Sequence, residues 1–201
     1  MHRMGETMSE QLHIEVKATV LQHVRFKYAC RHCERTALHT PIVIAPMPPQ
    51  PLPGSVATPS TLALVLANKY VDGTPLYRLQ QALARANVNI SRGALGNWVI
   101  RSVDLHLLRL YEALKQKLRS QPLVHGDETW VQVLKEDGRD AQAKSFMWAY
   151  RSGRDSEQPI VVFDYQPGRG QEHPQAFLGD YRGLLMSDGY DAWRTLDGAI
   201  H

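Results

Sequence analysis

No stretch of the 201-residue chain approaches a membrane-spanning length, for which roughly 18 consecutive apolar residues are needed. No membrane partner is therefore expected. The opening MHRMGETMSEQ has no apolar core behind a basic start, so it is not a secretion signal and a cytoplasmic chain is expected. No internal repeat is evident. Cysteine is scarce: Cys30 and Cys33 form one C-x-x-C pair, and there are no others. A tetrahedral zinc site needs four ligands, so the pair is half of one. His2, His13, His23 and His32 are available, but none has a convincing ligand spacing. A redox pair would need a thioredoxin-like βαβ surround, which is missing. Half a zinc knuckle is the leading reading, and two inert thiols are the alternative.

What is present is ordinary in bulk and uneven in distribution. Hydrophobic residues make up 43% and charged residues 21% of the chain, as in soluble globular proteins. The net charge of +3 conceals two opposite halves. Thr58 to Gln121 carries nine Lys/Arg against three Asp/Glu, whereas Pro122 to His201 carries eight against thirteen. Such a pair of segments is either two solvated surfaces or an anion-binding module beside a site that uses carboxylates.

The hydrophobic period divides the chain into four parts. Leu12, Ile14 and Val16, then Val24, Phe26 and Tyr28, alternate as two short strands leading into the cysteine pair, within an N-terminal segment 1–45. Five prolines between Pro46 and Pro53 mark residues 46–57 as a semi-rigid linker. Residues 58–121 read as helical. One helix runs from about Ser60 to Val71, a second over 75–88, and a third over 91–103 with Ser91 as N-cap. Leu107, Leu110 and Leu114 extend the helical spacing. The second and third helices have a helix-turn-helix layout, which either merely packs or reads DNA. In the latter case Arg92, Asn97 and Arg101 face away from the apolar stripe.

From Pro122 the period changes to two. LVHGDETWVQVL, SFMWAYRS and PIVVFDYQ are strand-like, a short helix follows around Pro174 to Leu178, and GLLMS is a fourth strand. That order predicts a mixed α/β sheet in which the first and fourth strands lie side by side. Asp127 breaks the pattern in mid-strand, where aspartate is depleted. Asp188 ends the fourth strand 61 positions later, before Gly189. Each is either a turn or cap aspartate or a member of a pair around a divalent cation, the usual remedy for two close carboxylates. His125, beside them, takes no assigned role.

The segments LVHGDETWVQVL, SFMWAYRSG, LLMSDGYDAW and NKYVDGTPLYRLQQALARANVNISRGALGNWV resemble the transposases of the insertion sequence sixty-six family. The likeness is most specific at DET, at DGY and in the block around PLYR. It implies an α+β chain of several parts: a zinc-ribbon-like N-terminal remnant, a helix-turn-helix-like middle (58–121) and a partial ribonuclease H-like core (122–201). It also implies an Asp-Asp-Glu triad holding Mg²⁺ or Mn²⁺. Such enzymes cut DNA at transposon ends and join the freed 3′-hydroxyl to target DNA. Asp127 and Asp188 match the first two triad members. Transposon-end and target DNA are the implied partners, with other transposase subunits.

The chain departs from that pattern at both ends. The family's third carboxylate lies well downstream of the second, and its members usually carry an earlier cysteine pair. Glu128 and Asp191 stand too near the matched aspartates to replace a ligand from a separate helix. A fragment truncated at both ends, inactive alone and binding zinc poorly if at all, is expected. The competing readings are a non-catalytic remnant that occupies transposon ends and a metal-dependent nuclease of the same fold.

Overall fold

The structure is a computed structural model and describes residue 4 and residues 7–15, 17–36 and 39–196. His2 and Val16 lie outside them. The chain forms two compact units, residues 1–105 and 106–201. The boundary falls inside the helical block that the sequence pattern carries to residue 121.

In the first unit, β1 (Lys27–Ala29) pairs antiparallel with β2 (Ile42–Ile44), and α1 (Arg31–Thr36) lies between them in sequence. The strand expected over Leu12 to Val16 is not formed at its described residues, and only Tyr28 of the second alternating run lies in a strand. Alternation specifies which side chains share a face, but a strand needs a neighbour for its backbone groups. Leu12 and Ile14 are instead 89% and 72% exposed.

Helices α2 (Pro59–Tyr70), α3 (Leu76–Arg85) and α4 (Arg92–Ser102) follow the expected order. Thr58 caps α2 by accepting from the Thr61 N–H, and Pro59 occupies the first turn, where no N–H is needed. Ser91 caps α4 through the Ala94 N–H at 3.1 Å. Leu62, Val65, Leu79, Leu95, Trp98 and Val99 form their shared core. Leu52 and Ala57 are buried in it too. The latter half of the Pro-rich stretch is thus packed against the helices rather than acting as a plain spacer, because a turn closed by Ser55 N–H to Leu52 O delivers Leu52 inward.

A π-helical segment (Val103–Leu107) leads into α5 (Leu108–Arg119). The second unit is built on β3 (Leu123–Gln132), β4 (Lys144–Ser152), β5 (Val161–Gln166) and β6 (Leu184–Met186), with α6 (Glu172–Leu178) before β6 and α7 (Asp191–Arg194) after it. Sheet order is β5-β4-β3-β6: the first three strands are antiparallel and β6 joins β3 in parallel. The period-two pattern puts Val124, Trp148, Tyr150, Val162 and Leu185 on one face, where they form a core with Leu118, Phe177 and Trp193. Tyr150 stacks on Phe177 at 3.7 Å between centroids, and Trp193 meets Trp148 edge-on at 5.1 Å. Among the described residues, no helix is long and apolar enough to cross a membrane.

Candidate metal and DNA sites

β3 places alternate residues on opposite faces. Val124 and Gly126 are buried, while His125 is half-buried and Asp127 exposed. The parallel ladder pairs His125 with Met186. Two residues further along stand Asp127, still within β3, and Asp188, in the turn that follows β6. Both aspartates line one recess of about 520 Å³, together with His125, Arg151, Phe163 and Met186. Neither forms an ion pair among the described residues. Each uses Oδ1 to accept one backbone N–H: Asp127 from Glu128 at 2.9 Å, Asp188 from Tyr190 at 3.0 Å. Gly189 follows at φ 85°, a conformation that favours glycine. Asp188 therefore shapes a turn and faces the recess at once.

The donor set suits a hard divalent cation in kind, two carboxylates on an open face, but stops at two carboxylates. No cluster of three or more His, Cys, Asp or Glu side chains that could hold a metal occurs among the described residues. Glu128 does not join the pair. Its carboxylate is fully buried, accepts from Arg169 Nε at 2.7 Å and from Trp193 Nε1 at 2.7 Å, and so serves the covered face. The Glu128 hydrogen bonds hold the Arg169 guanidinium still more firmly protonated. Neither this cluster nor Arg151 was legible as part of the site. The signals were faint: a glycine in mid-strand at 126, which marks a close approach, and the alternation that turns Arg151 to the same side as Ala149.

On α4, Leu95 and Trp98 are buried as the helical spacing predicts, and Arg92 and Asn97 are exposed. Arg101 departs from expectation: it is half-buried and donates Nη2 to the Pro53 carbonyl at 2.8 Å. The packing of the loop around Leu52 against the helices brings the Pro53 carbonyl within reach, and the guanidinium satisfies it.

Cys30 follows β1 and Cys33 lies within α1, so the pair spans a strand-to-helix junction rather than an isolated tight turn. The Cys33 backbone N–H, then the Cys33 thiol and the His32 backbone N–H, hydrogen-bond to the Cys30 sulfur and lower its pKa. Two sulfurs held together, one with a lowered pKa, suit half of a zinc site. His13, His23 and His32 complete no site, since no three-ligand cluster exists among the described residues.

The profile of the transposase IS66 family matches residues 54–201. The chain belongs to the IS66 transposase family. A second profile, the zinc-finger binding domain of transposase IS66, matches residues 1–34, which include both cysteines. Relatives of this IS66-family chain occur in Sinorhizobium fredii (strain NBRC 101917 / NGR234). The uncharacterized protein y4jD is 34% identical over 98% of this chain and 38% of its own length. The uncharacterized protein y4qI is 29% identical over 96% of this chain and 35% of its own length. The chain thus spans little more than a third of the relatives it matches. No solved structure matches it.

Proposed function

We propose that this chain carries the end-binding helices and the first part of the catalytic core of a metal-dependent DNA transposase. The observation that supports this best is that Asp127, in β3, and Asp188, just after β6, line one recess. Three antiparallel strands, a helix and a strand returning parallel to the first are what a ribonuclease H-like core requires. Asp127 and Asp188 would hold Mg²⁺ or Mn²⁺. When bound at such a pair, divalent ions supply activation of an attacking oxygen and stabilisation of a departing one in phosphodiester chemistry. The chain's own groups then bind and orient DNA. Arg151, in the same recess, offers a cation to a phosphate. Arg92 and Asn97 on α4 read or grip the transposon end, with Arg101 bracing that helix. The segments 1–45, 46–57, 58–121 and 122–201 are proposed as zinc-binding, connecting, DNA-binding and catalytic parts, with Cys30 and Cys33 giving two zinc ligands.

A third carboxylate would come from outside the described residues or from another transposase subunit. A second reading is a chain that occupies transposon ends without cutting them. Manganese binding tests the metal site in either case. Titration of the purified chain, followed by the resonance of free Mn²⁺, should show weak binding that Asp127→Asn and Asp188→Asn each remove. Binding that survives both substitutions rules the paired site out.

A further inference from the structure

Resting on that metal reading, we propose that Arg169 is a positioning residue that holds the Asp188 loop against β3 and so sets the spacing of the two aspartates. Arg169 belongs to neither β3 nor β6. It lies in the loop between β5 and α6, a loop tied to the sheet by Trp148 Nε1 donating to Gly168 O at 3.3 Å and by the Arg139 guanidinium donating to Pro167 O. From there its side chain reaches both halves of the site. On one side Nε and Nη2 donate to Glu128, the residue next to Asp127. On the other, the guanidinium lies 3.8 Å from the centre of the Tyr190 ring. Tyr190 in turn donates its hydroxyl to Arg169 O at 2.9 Å and its backbone N–H to Asp188 Oδ1 at 3.0 Å. A continuous path therefore runs from Asp127 through Glu128, Arg169 and Tyr190 to Asp188.

The chemistry of each link favours rigidity. Glu128 has no exposed side-chain surface, and a buried carboxylate requires a partner. Trp193 Nε1 occupies its other oxygen, which ties α7 to the same anchor. A planar guanidinium can hydrogen-bond along its edge while stacking through its face; an ammonium cannot do both. An arginine serving only stability would need the Glu128 contact and not the ring. The stack on Tyr190 is what extends its hold to the Asp188 turn.

Lysine separates the two roles. Arg169→Lys keeps a cation for Glu128 and should melt near the wild-type temperature, yet its Mn²⁺ dissociation constant should rise by about tenfold, as for other groups that orient metal ligands. Tyr190→Leu, which leaves the ion pair intact, should weaken Mn²⁺ similarly, and Tyr190→Phe, which keeps the ring, should restore it. Wild-type Mn²⁺ affinity in both Arg169→Lys and Tyr190→Leu would overturn the assignment. Failure of the wild-type chain itself to bind Mn²⁺ more tightly than Asp127→Asn would instead remove the metal site, and this role for Arg169 with it.

Discussion

Replacing Gly126 by alanine probes the joint between sheet and helix cover on which the site depends. A Cβ at this position would stand 2.5 Å from Cη2 and Cζ3 of Trp193 and 3.0 Å from Cε3. Carbon atoms in contact prefer about 3.5–4.0 Å, so the indole must retreat by about 1 Å. It has little room: Trp193 is fully buried, 5.1 Å from Trp148 and 5.7 Å from Tyr150 between ring centroids. Overpacking of this kind costs about 1–3 kcal/mol. A tilted indole also weakens the bond from Nε1 to the buried Glu128 carboxylate, and bonds to charged groups contribute about 1.5–3 kcal/mol. Alanine returns about 0.5–1 kcal/mol by restricting the unfolded strand. A net loss of about 2 kcal/mol follows for a partly weakened bond. For a unit of roughly 100 residues that lowers the melting temperature by about 8–16 °C. Thermal unfolding followed by near-ultraviolet circular dichroism reads both the midpoint and the tryptophan environment. In a Trp193→Leu background most of the penalty should vanish, because the clashing ring is gone. A Gly126→Ala chain melting at or above the wild-type temperature would refute the close approach.

Two further outcomes are expected. Burial, then the nearby Asp164 charge, pushes the Tyr111 hydroxyl up to about 12 and raises that of Tyr150 as well. A raised pKa favours the neutral folded form, so this stability is complete below the ordinary value of 10 and is lost as pH climbs through about 12. Tyr150→Phe, which removes a buried hydroxyl that has no hydrogen-bond partner among the described residues, should retain or gain stability and soften the alkaline loss. A melting temperature unaffected between pH 10 and 12 would contradict this. On α4, Arg92→Ala should weaken binding to transposon-end DNA and reduce the slope of log affinity against log salt by about one. An unchanged slope in an anisotropy titration would make the helix structural only.

Local pattern was enough for the strands of the second unit's sheet and for helices α2 to α4. The period of two from Leu123 onward and the caps at Thr58 and Ser91 are written in neighbouring residues, and the strands and helices follow from them. The first alternating run failed because alternation cannot supply a pairing partner, and Leu12 and Ile14 have none among the described residues. Which side each charged group serves was decided by tertiary contact. Nothing adjacent to Glu128 tells that it turns from Asp127 to meet Arg169, 41 positions away, and Trp193, 65 positions away. Nothing beside Arg101 announces Pro53, and nothing beside Leu52 announces the helical core. Side-chain period assigns a residue to a face, whereas the partner that neutralises a buried carboxylate or claims a carbonyl is brought there only when distant segments pack.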